Sequence, residues 1–246
     1  MEDLPGKSQS TQVAADPGAV PRWKRVLDIA CVVVAAPAWI PIGVLIAVVI
    51  KIVSSGPVFF TQERIGHMGK RFRCFKFRSM ETDADVKSHE AYAKQLPGSD
   101  RPMTMLDLMG DPRLIPGGLM LRALGLDELP QLINVLRGEM SLVGPRPCVP
   151  YEFAQYRPRD RRRCETLPGL TGLWQISGKN RTTFDEMINL DLDYVARKSP
   201  LLDLRIIAWT LPAIVVQTWE ARGRRQSRNL AVRGAKVGGL SPGQQG

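Results

Sequence analysis

Histidine is nearly absent from this 246-residue chain: His67 and His89 are its two imidazoles, so a reaction resting on carboxylates is the simpler expectation. The four cysteines, Cys31, Cys74, Cys148 and Cys164, form no C-x-x-C pair, and Cys31 lies in an apolar run. That spacing argues against a zinc site or a disulfide framework and fits a reducing compartment. Aromatic residues make up 7% of the chain, too few for a nucleic-acid binder built on stacking platforms. A basic start leading into an apolar stretch is missing at Met1, so no cleavable signal is expected there.

Positive charge is abundant. The formal net charge is +10, which calls for an anionic partner such as phosphate groups or a lipid surface. Hydrophobic residues reach 44%, enough for a core, and the length suits one domain with tails. Residues 1–21 are polar and rich in Gly, Pro, Ser and Ala, and residues 219–246 are basic and rich in Gly; both read as disordered tails. The catalytic region is expected over residues 53–218.

From Ile29 to Ile50 the chain reads IACVVVAAPAWIPIGVLIAVVI without a charge. A straight helix of this length spans about 33 Å, near the hydrocarbon thickness of a bilayer. Residues 22–52 are therefore expected to be a membrane helix. Pro37 and Pro41 each remove a backbone donor and crowd the preceding turn, predicting a bend between them. Both flanks are basic, Arg22, Lys24 and Arg25 before and Lys51 and Arg64 onward after, which places both on the cytoplasmic side. A re-entrant hairpin satisfies both signals; a single kinked span is the competing reading.

Pro57 to Met80 alternates in the strand period, with Phe72, Cys74, Phe75 and Phe77 among Arg71, Arg73, Lys76 and Arg78, predicting a strand pair. Glu81 to Asp111 is polar and reads as an exposed helix and loop. Leu119 to Leu136 is helical by spacing, with Pro130 in a first turn and Asp127 and Glu128 at a helix N-terminus. The stretch TTFDE predicts a capped helix from Thr183 to Arg197. Leu201 to Thr218, apolar around Asp203, Arg205 and Pro212, fits an interfacial helix or a core helix.

The pair Asp127–Glu128 carries the chemistry best. Aspartate can accept a phosphoryl group covalently, and a divalent cation between carboxylate and diphosphate lowers their repulsion. The plainer reading is that Asp127 caps a helix. Lys76, Arg78, Arg122 and Arg146 are candidates to gather on a diphosphate, Arg146 on a backbone stiffened by Pro145 and Pro147. The plainer reading there is a solvated basic face near lipid headgroups.

The segments KFRSM (76–80), LRALGLDELPQLINVLRGEMSLVGPRP (121–147), PGLTGLWQISG (168–178) and LDLDYV (190–195) resemble, in that order, the bacterial sugar transferase family, the monotopic polyprenyl-phosphate phosphoglycosyl transferases. The resemblance runs from about Lys24 to about Val216. It implies a small membrane-associated α/β domain of the α+β type, with a proline-kinked re-entrant helix at Pro37 or Pro41 and amphipathic interfacial helices. It implies a nucleotide diphosphate sugar, expected to carry uridine, and a polyprenyl phosphate as substrates, Mg2+ as cofactor, and no nucleic acid partner. By resemblance Asp127 is the nucleophile and a metal ligand, Glu128 positions the metal or tunes the nucleophile, Arg146 holds phosphate, and Asp191, at a further acidic position of the motif, is a candidate substrate contact. Gln175 and Lys179 are candidates for nucleotide or sugar contacts. The chain departs from the family's commoner pattern in having Cys148, not Glu, after GPRP, and Ala36, not Ser, before Pro37. The sugar and the oligomeric state are not legible.

Overall fold

The structure is a computed structural model that describes residues 19–81, 113–178, 181–216 and 218. The expected helix and loop after Glu81, both tails beyond these limits, and Lys179 lie outside the described residues.

Helix α1, Arg22–Val53, stays helical through both Pro37 and Pro41. Near the prolines the Trp39 indole donates to the Val32 carbonyl at 3.1 Å. One stripe of α1 is buried: Lys24, Asp28, Val32, Ile46 and Ile50, with Trp39 half-buried between them. The spacing of four or seven residues is that of a helix face against a body. The other faces expose twelve large apolar side chains, Val34 at 81% and Ile52 at 77% among them. Each costs roughly 1.5–3 kcal/mol if left in water, so this surface suits lipid.

Strands β1 (Phe59–Ile65) and β2 (Arg71–Phe77) form the predicted antiparallel hairpin, with Phe59 opposite Phe77 and Ile65 opposite Arg71. The region expected as one helix over 119–136 is broken. It forms α2 (Gly118–Ala123), a 3-10 turn (Leu126–Glu128) and α3 (Gln131–Arg137). The break has two causes. Gly125 takes a left-handed φ of 68°, and Pro130 starts a new helix. Gly138, at φ 80°, closes α3.

Strand β3 (Ser141–Val143) then runs parallel to β4 (Gly169–Thr171). Between them lie α4 (Pro150–Ala154), α5 (Pro158–Arg161) and a 3-10 turn (Arg162–Glu165). After β4 come α6 (Leu173–Ile176), α7 (Phe184–Arg197) and α8 (residues 200–216). The capping box predicted for α7 is present: Thr183 Oγ1 accepts from the Glu186 amide, and Glu186 accepts from the Thr183 amide at 2.7 Å. Helix α8 buries Asp203 and Ile206 while exposing Leu201, Leu204, Trp209, Leu211, Val215 and Val216. That inverted pattern sets α8 apart from an ordinary core helix and matches the interfacial alternative.

Both ends of α1 are held by the same body. Lys24 Nζ donates to Val143 O (2.7 Å), Tyr194 Oη (2.8 Å) and Asp203 Oδ2 (2.6 Å). One turn on, Asp28 Oδ1 accepts from Ser141 Oγ and the Leu142 amide, each at 2.9 Å. Just past the other end, the carbonyls of Ser54 and Ser55 accept from Arg78 at 3.0 and 2.6 Å.

Candidate active site

Asp127 and Glu128 occupy the 3-10 turn between α2 and α3, three and two residues before the α3 cap, rather than the first turn of an α-helix. Asp127 is 6% exposed. Glu128 Oε1 accepts from Lys76 Nζ at 2.7 Å, so the predicted lysine on β2 and the predicted dyad meet. The remaining predicted cations divide. Arg122 Nη1 approaches Met80 Sδ at 3.4 Å. Arg78 is buried and spends both terminal nitrogens on the carbonyls that follow α1, so its place is that of a clamp on the end of α1.

Arg146 sits on the loop after β3. That loop is pressed onto the start of β4: a Cβ on Gly144 would lie 2.3 Å from the Leu167 carbonyl oxygen, and one on Gly169 would lie 2.1 Å from the Gly144 nitrogen. Glycine alone permits this approach. Arg146 Nη1 reaches Glu152 Oε2 at 3.3 Å and stays 29% exposed. Its backbone is braced from behind. Arg163 donates to Arg146 O (2.9 Å) and Tyr156 Oη (2.6 Å), and pairs with Asp191 in a fully buried contact. Arg64 donates to Pro147 O at 2.9 Å.

Asp191, predicted as a substrate contact, is 1% exposed and faces Arg163. It acts on the GPRP loop from inside the fold. Burial, only partly offset by Arg163, lifts its carboxyl to about 6. Gln175 Nε2 donates to Leu170 O at 2.9 Å and so steadies the β4 loop.

The Asp127–Glu128 turn with Lys76, and the braced Arg146 loop, thus stand in a body packed against one long apolar helix. Residues 20–217 match the profile of the bacterial sugar transferase family. The chain belongs to that family. It is 40% identical over 191 residues to the exopolysaccharide production protein ExoY of Sinorhizobium fredii, covering 78% of this chain and 84% of the relative. It is 36% identical over 202 residues to an undecaprenyl-phosphate galactose phosphotransferase of Salmonella typhimurium, covering 78% of this chain and 40% of the relative. An undecaprenyl-phosphate glucose phosphotransferase of Komagataeibacter xylinus is 39% identical over 203 residues, covering 76% and 35%.

For this sugar transferase, a resident metal held by protein alone is poorly supplied. Among the described residues no group of three or more His, Cys, Asp or Glu side chains could hold one. Magnesium, however, ordinarily takes one or two carboxylates and completes its shell with water and substrate phosphates. The adjacent carboxylates of Asp127 and Glu128 fit that mode.

Several residues of the transferase escaped sequence reasoning. Arg64, Glu152, Tyr156 and Arg163 form one cluster around Arg146. Burial pushes Glu152 up, but Arg146, then Arg64 and Arg163, outweigh it and hold the carboxyl below its ordinary value. Burial and then Arg146 lower Arg64. The run RPRDRRR (157–163) was a visible signal, but nothing in it distinguishes the inward Arg163 from its exposed neighbours. Cys148 is buried beside Cys164; the Cys164 thiol and, against burial, Arg163 draw its own thiol down to about 7.

Proposed function

We propose that this chain transfers a sugar-1-phosphate from a uridine diphosphate sugar to a polyprenyl phosphate, releasing UMP, as a first step in assembling a surface or exopolysaccharide. The observation that carries the reading is the buried Asp127 beside the Lys76–Glu128 pair, in a chain whose relatives are named undecaprenyl-phosphate hexose phosphotransferases.

In this mechanism an Asp127 carboxylate oxygen attacks the phosphorus that bears the sugar. The bond from that phosphorus to the bridging oxygen breaks, and UMP leaves with the oxygen. A phosphate oxygen of the lipid then attacks the same phosphorus and frees Asp127, a two-step exchange. Glu128 and Lys76 set the charge beside the nucleophile, and Arg146 offers a guanidinium fork to the diphosphate. Bound magnesium would supply charge neutralisation on the diphosphate, with Asp127 and Glu128 as its protein ligands.

The membrane reading rests on α1. A water-soluble body that holds Lys24 at one end and receives Ser54 and Ser55 at the other lies on one side of the bilayer. On this reading the helix enters and leaves by that face, and its basic flanks support a cytoplasmic location for it. The exposed apolar face of α8 would lie in the same interface.

The test is UMP release by the full chain in lipid nanodiscs, with undecaprenyl phosphate, magnesium and a panel of UDP-sugars, beside Asp127→Asn. Release with one sugar and a loss of at least about 10³-fold in the variant is expected, since removal of a covalent nucleophile costs that order or more. Full turnover by Asp127→Asn would sink the covalent step.

A further inference from the structure

Helix α3 carries a buried asparagine whose side chain behaves as a piece of strand. Asn134 is 0% exposed. Its Oδ1 accepts from the Phe75 amide at 3.1 Å, and its Nδ2 donates to the Arg73 carbonyl at 2.8 Å. Among the described residues strand β2 is paired with β1 along one edge only. Arg73 O and Phe75 N, two residues apart, therefore point together from the unpaired edge, as a neighbouring strand's peptide would meet them. The amide of Asn134 fills that place. Nδ2 also donates to Glu139 Oε2 at 2.6 Å, so a single orientation of the amide satisfies all three partners. The main chain adds to the lock: Asn134 O accepts from the amides of Gly138, Glu139 and Met140.

The consequence reaches the dyad. Lys76 follows Phe75, and Glu128 lies six residues before Asn134, joined to it through the Pro130 cap of α3. The ion pair between them ties β2 to the dyad turn, and both partners are partly exposed, at 22% and 31%. A pair so exposed is weak by itself. A second contact keeps α3 and β2 in register: the Arg137 guanidinium lies 4.9 Å from the Phe75 ring centre. We infer that Asn134 is a positioning residue, whose amide docks α3 on the free edge of β2 and thereby holds Lys76 against Glu128. This rests on the reading of the Asp127–Glu128 turn as the reactive centre.

The experiment uses the full chain in lipid nanodiscs and reads Lys76 directly. Trace labelling with an amine-reactive reagent, quantified by mass spectrometry, compares Lys76 with Lys51 as internal reference. Glu128→Gln sets the signal of a broken pair. Asn134→Asp keeps size and the acceptor but loses the donor to Arg73 O. Labelling of Lys76 should rise about fivefold in Asn134→Asp, the scale expected for loss of a partly exposed ion pair, and match Glu128→Gln. Turnover should fall roughly tenfold or more. Unchanged Lys76 labelling, with or without a loss of turnover, overturns the proposal. Should Asn134→Asp not be recovered folded, Glu139→Ala takes its place. That change removes the acceptor that orients the amide, and a rise in Lys76 labelling is again required. Labelling needs no turnover, so an active Asp127→Asn would refute the reactive-centre reading without touching this result.

Discussion

Lys24→Met cuts one of the ties between α1 and the body. Lys24 is 0% exposed and its ammonium meets Val143 O, Tyr194 Oη and Asp203 Oδ2 within 2.8 Å. Methionine matches the stem and removes the charge. Asp203, itself 1% exposed, keeps one donor, the Tyr194 hydroxyl at 2.8 Å, and loses its counter-ion. Breaking a buried pair from one side costs about 3–5 kcal/mol. For a domain of this size that corresponds to a fall of roughly 6–20 °C in Tm. Lys24→Met/Asp203→Asn removes both charges and leaves a neutral hydrogen bond to Tyr194, so it should be less damaged than the single variant, with a coupling of about 1–3 kcal/mol. Thermal unfolding in detergent, followed by tryptophan fluorescence, measures all four corners of the cycle. A single variant that melts within about 2 °C of the parent, or two additive substitutions, would refute the assigned network.

Gly144→Ala should lower turnover at least tenfold, and stability by about 1–3 kcal/mol, since the new Cβ would meet the Leu167 carbonyl at 2.3 Å and push the Arg146 loop off β4. UMP release and Tm check both effects. Glu152 gives a pH signature. Its folded value lies below the ordinary 4.5, so its contribution is complete above that pH and drains away as pH falls below it. Glu152→Gln should flatten the part of the Tm-against-pH curve below about 4.5; an unchanged slope would remove Glu152 from the account.

What the sequence shows and hides follows from the range of each signal. The β1–β2 hairpin, the Thr183 capping box and the apolar α1 are encoded by neighbours in the chain: alternation, a four-residue cap, a charge-free run. The break within 119–136 was missed because apolar spacing continues across it, and Gly125 and Pro130 divide the helix without disturbing the stripe. At the site, Lys76 and the dyad were legible as residue types, but their meeting across 52 residues was not. Arg78 was misjudged for a physical reason. Its guanidinium finds two orphan carbonyls at the end of α1, a demand that no local pattern announces. Asp191 likewise reads as a site carboxylate until Arg163, 28 residues earlier, is seen to occupy it.

Helix α1 is more than an anchor, and its removal provides the sharpest check on that statement. Its N-terminal half bonds to β3, the strand that delivers the Arg146 loop, through Lys24 and Asp28. Its C-terminal end bonds to Arg78, just beyond the strand that carries Lys76. Val32 packs with Leu132, Val135 and Met140, while Ile46 and Ile50 pack with Phe77 and Ile115. A fragment beginning at Ser54 would expose these two clusters and orphan Ser141 Oγ, the Leu142 amide and Asp203 together. Three buried apolar side chains at roughly 1.5–3 kcal/mol each already approach the 5–15 kcal/mol that usually holds a domain together. The fragment should therefore aggregate or unfold without a cooperative transition, even though its remaining surface is more polar than that of the parent. Calorimetry and UMP release on the fragment decide the matter. A monomeric, cooperatively melting and active fragment would mean that α1 is a separable tether, and that the two halves of the site are held in register by the body alone.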